Sequence, residues 1–174
     1  MPVTVGTELF ASGGDVLVTN LGPTGAEYDE QLFVESPSNS FGLFLDNHST
    51  PNGTTFYLGT FAAGTEIEFG LDMLNTGGNS QEPNGTIVYD GPGSRNPDGD
   101  VHAFMVNNFE GLANTTYVGF EDELAAVPSD FNYIDEVYAF TGTKASSVPD
   151  ASSTLALLGA GMTALAGVAR RFRK

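Results

Sequence analysis

The chain has 174 residues, room for one domain of ordinary size with a segment left over. It contains no Cys and no Trp, which excludes disulfides, thiolate-bound zinc, iron–sulfur ligation and a Cys nucleophile. Six Lys and Arg stand against 22 Asp and Glu, a net charge of −16; nucleic acid is excluded as a partner, because phosphates need cations to neutralise them.

In chain order, short β-branched or alternating runs recur between turn-forming clusters. They are Val16–Thr19, Gln31–Val34, Phe41–Leu45, Thr55–Leu58, Glu66–Phe69, Thr86–Tyr89, Val101–Val106, Thr116–Phe120 and Val137–Phe140. Gly, Asn, Asp and Pro punctuate them, as in Pro51-Asn-Gly53 and Asp90-Gly-Pro-Gly93. About nine short strands at this spacing predict an all-β fold, an antiparallel β-sandwich or jelly-roll over residues 1–140. No stretch before residue 150 sustains a helical apolar period for more than about two turns. Residues 141–153, small and polar, read as a linker.

Residues 94–140 gather acids beside turns. Glu121, Asp122, Asp130, Asn132 and Asp135 offer oxygens of the kind calcium takes six to eight of. Asp130 and Asn132 are two apart, the spacing that puts both side chains on one side of an extended loop; Asp98 and Asp100 share it. A close group of carboxylates repels itself unless a cation neutralises it, so these seven residues are the candidate metal ligands. His102 sits in an apolar run and reads as a structural strand histidine. With two His, no Cys and no Gly-x-Ser-x-Gly elbow, the chain shows no nucleophilic machinery, and a non-enzymatic role is expected. Four Asn-x-Ser/Thr triplets, at Asn47, Asn52, Asn84 and Asn114, are expected in exposed turns.

Charge divides the chain. Residues 1–149 carry 21 acids against Arg95 and Lys144, a balance of −19. Thr154–Ala169 is uncharged for 16 residues and precedes Arg170, Arg171, Arg173 and Lys174. As a helix the run is about 24 Å long, slightly short of a bilayer core. Flanking residues extend it and Arg170 can snorkel, so residues 154–174 are expected to form a transmembrane helix with a cytoplasmic basic end.

Two resemblances follow from these residues. Val148-Pro149-Asp150-Ala151, the apolar run and the terminal Arg cluster resemble the PEP-CTERM sorting signal of Gram-negative bacteria, in its Val-Pro-Asp variant. Asp150 stands for the Glu of the commonest form and Ala151 for its second Pro. The resemblance implies export and membrane anchoring. It also implies recognition by an exosortase-type sorting enzyme and delivery to the cell surface or matrix, where exopolysaccharide is a further expected partner. Met1–Phe10, MPVTVGTELF, lacks the basic start and apolar core of the secretory signal that such a protein is expected to carry. Gly119-Phe120-Glu121-Asp122 with Asp130-x-Asn132-Tyr133-x-Asp135-x-Val137 resembles a functionally undefined bacterial extracellular β domain whose pattern continues upstream through Asn96 to His102. This match covers about residues 60–140 and implies calcium binding. Asn132 stands for an Asp and Ile134 for an Asn in that pattern, which implies weaker affinity or loss of the site. An exported carbohydrate-binding module or glycoside-active enzyme with an acidic cleft is the alternative, with Tyr133 and Tyr138 beside Asp135 as its suggestive group.

Overall fold

The computed structural model describes residues 4–23, 26, 28–37, 45–126, 129 and 131–146. They form twelve strands: β1 (Thr4–Val5), β2 (Glu8–Ala11), β3 (Gly14–Pro23), β4 (Asp29–Ser36), β5 (Leu45–Asp46), β6 (Thr55–Phe61), β7 (Glu68–Asn75), β8 (Thr86–Tyr89), β9 (Ala103–Asn107), β10 (Thr115–Phe120), β11 (Glu136–Thr141) and β12 (Thr143–Ser146). Every pairing is antiparallel. One sheet runs β1-β9-β10-β11-β3-β6, a second runs β5-β4-β7-β8, and β12-β2 form a small third.

The two larger sheets share one core, and period-two alternation decides which residues enter it. In β4, Leu32 pairs with Leu71 of β7 and Val34 with Phe69, giving one inward row on the four-stranded sheet. Opposite it, Val118 and Phe120 of β10 align with Tyr138 and Glu136 of β11. Phe69 joins the two layers. Its ring lies 4.7 Å from that of Phe140 and 5.6 Å from that of Phe120. Each such aromatic pair adds about 0.5–1.5 kcal/mol beyond the area it buries.

Six of the expected strands lie within observed ones, and Val101–Val106 and Glu66–Phe69 overlap β9 and β7. Glu66–Phe69 starts late, because Glu66 makes only an isolated bridge to Phe10 before β7 begins. The expected strand Phe41–Leu45 lies, but for Leu45, outside the described residues. The linker expected from residue 141 is corrected at its start, since Thr143–Ser146 form β12 against β2. Asn107 pins this strand, its side chain donating to the Ala145 carbonyl (2.9 Å) and accepting from the Ala145 N–H (2.7 Å). Asn47, expected in an exposed turn, is instead buried, bonded to the backbone of Tyr28 and Glu30. Among the described residues no helix is long and apolar enough to cross a membrane; the helix expected over 154–174 lies outside them.

Candidate metal centre

Strand register brings the central acids together. Phe120 and Glu136 are the last aligned pair of β10 and β11, so the loop 121–135 leaves and returns at one place. Its stem is held by two backbone bonds, Glu121 N–H to the His102 carbonyl (2.9 Å) and Asp135 N–H to the Phe120 carbonyl (3.2 Å). Glu121, Asp122 and Asp135 therefore converge, with one oxygen from each inside a mutual separation of 4.8 Å. Oxygens bound 2.3–2.6 Å from one calcium ion are separated by about that distance or less. The three residues are 1%, 2% and 8% exposed.

Burial makes the charge expensive. Asp122 is pushed up to about 7, first by burial and next by the Asp135 charge. Glu121 Oε1 accepts from the Ser129 hydroxyl at 2.7 Å, whereas Glu121 Oε2 and Asp122 Oδ2 meet no hydrogen-bond partner among the described residues. The Asp122 N–H donates to Asp135 Oδ2 at 3.3 Å. This set of hard oxygens suits calcium better than a soft transition metal.

Two further carboxylates border the cluster. Glu136 opens the inward row of β11 and is raised to about 7, mainly by burial; hydrogen bonds from Tyr138 and Asn47 oppose the rise. Glu30, from β4 in the other sheet, is 0% exposed and raised well above the ordinary carboxyl range by burial and then by the charges of Asp122 and Glu136. Sequence reasoning missed both. The available signal was their spacing, since each lies two and four residues ahead of apolar residues on a core-facing row.

The remaining expected ligands are placed elsewhere or outside view. Asp98 and Asp100 are not part of the converging group. Asp98 instead braces it: Oδ2 accepts from the His102 ring (Nε2, 3.0 Å) and from the Ala125 N–H (2.9 Å), and Oδ1 accepts from the Asp100 N–H (3.0 Å). Burial would raise the Asp98 carboxyl, but the Ala125 and Asp100 amides and His102 outweigh it and lower the pKa. His102 is fully buried, and its Nδ1 reaches the Glu121 carbonyl at 2.9 Å. It lies just before β9 rather than within a strand as its apolar run suggests, and it holds the Glu121 backbone at the cluster. Asn132 is exposed and its Oδ1 accepts from the Ile134 N–H at 2.9 Å. Asp130 lies outside the described residues.

Tyr138, expected beside a sugar site, is 1% exposed and donates to Glu136 Oε2 at 3.2 Å, so it is unavailable to a saccharide. Tyr133 instead joins a row of five rings. Phe109, Tyr117, Phe104, Tyr133 and Phe131 follow one another with centroids 4.9, 5.6, 5.7 and 6.3 Å apart. Phe104 and Tyr117 belong to the outward rows of β9 and β10, opposite the inward Met105 and Val118.

A model of the VPDSG-CTERM motif matches residues 147–172. The tail carries a PEP-CTERM-like sorting motif. This motif contains Val148, Pro149, Asp150 and Ala151, extends through the apolar run to Arg170 and Arg171, and lies outside the described residues. It points to an exported, surface-associated protein and is consistent with processing by an exosortase-type enzyme. Comparison with curated proteins and with solved structures gives no match.

Proposed function

We propose that the chain is a non-enzymatic protein of the bacterial surface or extracellular matrix, serving adhesion or biofilm structure, with a calcium-stabilised β-sandwich domain. The membrane helix over 154–174 holds it until the sorting enzyme acts at the motif. The observation that carries the calcium reading is the convergence of Glu121, Asp122 and Asp135, all three buried. A cation bound only by the folded state stabilises it by mass action, about 2.7 kcal/mol at a hundredfold excess over Kd. Ile134 and Asn132 supply fewer charged ligands than the resembling pattern. A Kd in the range of extracellular modules, about 10⁻⁴–10⁻³ M, follows.

The test is thermal melting of the 174-residue chain in nonionic detergent, in chelator, in millimolar calcium and in equal magnesium, at fixed ionic strength. A rise specific to calcium is expected. Equal melting temperatures in all three remove the metal site, and equal shifts with both cations reduce the effect to screening of surface charge.

The row of five aromatic rings favours a second reading, a module that binds neutral polysaccharide by stacking sugar faces on Phe104, Tyr117 and Tyr133. Glycan-array binding by the wild type, lost in Tyr117→Ala, supports it. An array with no signal dismisses it.

A further inference from the structure

Two strands and two connections deliver the row of five rings. Phe104 and Tyr117 stand on the outward rows of β9 and β10, Phe109 comes from the connection 108–114, and Tyr133 and Phe131 come from the loop 121–135. The ring contacts run in single file from Phe109 to Phe131. Gly119, the outward position of β10 after Tyr117, is the seat of the loop: a Cβ there would strike the Tyr133 carbonyl oxygen and the Phe104 ring. The Tyr133 hydroxyl donates to the Val101 carbonyl at 3.0 Å, and the Phe131 N–H donates to Ser129 Oγ at 3.3 Å. The loop is thus laid across the outer face of the sheet.

Backbone strain gathers at both ends of this row. Among the described residues, those other than glycine with left-handed backbone are Asn108, Glu110, Asn114, Phe131 and Tyr133, with φ from 49° to 57°. Asn adopts this conformation readily; Glu, Phe and Tyr do so at an energetic cost that the surroundings must impose. Glu110 follows the ring at one end, and Phe131 and Tyr133 are the rings at the other. The same two connections hold Leu112, Phe131 and Ile134, three of the five large apolar side chains exposed among the described residues. Core formation explains neither the strain nor the exposure, and their coincidence marks a contact surface.

We propose that the row is an extended site for a linear, uncharged glycan, with Phe109 and Phe131 as its end subsites, so that affinity depends on the length of the sugar chain. The inference rests on the polysaccharide reading above and adds which rings set specificity and which class of polymer they select. Charge selects the class. Residues 1–149 carry a balance of −19, and Arg95 is engaged with Glu8, Glu66, Glu68 and Asp90, so a polyanion is repelled. Exposed Asn108 precedes Phe109, and exposed Asn132 lies between Phe131 and Tyr133. Aromatic faces bordered by amides suit a molecule with apolar faces and hydroxyl edges, and a single file of rings suits a linear one.

The experiment is calorimetric titration of the 174-residue chain, in a polyoxyethylene detergent that carries no sugar, with linear oligomers of glucose, mannose and N-acetylglucosamine of two and six units. Six-unit polygalacturonate is the charged control. The wild type should bind a six-unit neutral oligomer about tenfold or more tightly than its two-unit counterpart, because the longer chain reaches further aromatic anchors. Phe131→Ala and Phe109→Ala should each remove most of that advantage. Equal affinity for both lengths, or an advantage that survives both variants, overturns the extended site and leaves the shorter stacking site of Phe104, Tyr117 and Tyr133 standing. Polygalacturonate bound as tightly as the neutral oligomers overturns the choice of an uncharged polymer. A wild type that binds no neutral oligomer removes both readings. Sedimentation of the same samples tests the other occupant: self-association abolished by Tyr117→Ala assigns the face to a second copy of the chain and overturns the proposal. The comparison of lengths in the wild type needs no variant and decides the matter even where a substitution disturbs folding.

Discussion

Glu30 and Glu136 are counterparts across the core: Glu30 opens the inward row that continues through Leu32 and Val34, and Glu136 opens the one that continues through Tyr138 and Phe140. The Glu136 charge is among those that push the Glu30 carboxyl up. At one end of an otherwise apolar interlayer, acids from both sheets therefore meet. This geometry makes the metal-free domain sensitive to pH. Asp122 and Glu136 are raised to about 7 and Asp90 to about 8, in each case chiefly by burial. In the unfolded chain these carboxyls return to their ordinary values near 4. Between about pH 4 and 8 the folded chain holds more protons than the unfolded one, so stability falls as pH rises through that window. Melting temperatures in chelator should drop steadily from pH 5 to pH 8, and calcium should reduce the drop by replacing protons with metal. A flat or rising profile in chelator contradicts the assignment.

Arg95 is the electrostatic hub at another place in the domain. Its guanidinium lies 2.8 Å from Glu8, 2.6 Å from Glu66, 3.5 Å from Asp90 and 3.6 Å from Glu68. Glu66 and Glu68 are partly solvated, so the energetic weight falls on Glu8 and Asp90. Arg95→Met should cost about 3–5 kcal/mol in denaturant unfolding, because it strands those two acids. Arg95→Lys should recover only part, since a single ammonium cannot reproduce the fork.

The two histidines should behave oppositely. His102→Ala opens a buried cavity and removes the bonds to Asp98 and the Glu121 carbonyl; a loss of about 2–4 kcal/mol is expected. Weakened calcium binding should accompany it, because the loop stem at Glu121 loosens. His48 is 2.6 Å from Asp29 but half solvated, and His48→Ala should cost less than about 1 kcal/mol. Chemical denaturation of the two variants side by side makes the comparison.

Gly119 tests the loop in a second way. A Cβ there would run into the Tyr133 carbonyl oxygen and the Phe104 ring. Gly119→Ala should therefore displace residues 131–135, carrying Asp135 with them. A destabilisation of about 1–3 kcal/mol is expected from the overpacking, with loss of the calcium-induced rise in melting temperature. A variant that melts and responds to calcium like the wild type would show the loop to be uncoupled from the strand.

The tail makes a prediction of its own. Removing residues 154–174 should release the chain from the membrane fraction of a host that has the sorting enzyme. Neutralising Arg170, Arg171, Arg173 and Lys174 should disturb its orientation and retention. An intact chain that fractionates wholly as soluble cytosolic protein would contradict the sorting role. Cell fractionation with immunoblotting reads each case.

Much of the architecture was legible because a strand's inward row is written locally. Gln31–Val34, Thr116–Phe120 and Val137–Phe140 alternate or cluster apolar residues within a few positions, and they lie in β4, β10 and β11. Strand β12 was not legible: Thr143–Ser146 has no apolar row, and its partners, the ladder of β2 and the Asn107 side chain on the backbone of Ala145, lie far off in the chain. The acid loop between Gly119 and Val137 and the sorting tail were likewise plain from residue order. Which acids meet was not. Asp98 and Asp100 have the same two-residue spacing as Asp130 and Asn132, yet Asp98 is spent on His102 and two backbone amides. Glu30, distant in sequence from Asp122, reaches it only because β4 and the end of β10 face each other across a core. Local pattern determined the strands, the loop and the tail; the pairing of the sheets decided the site, because contact across two layers depends on register, and register couples residues that no local pattern relates.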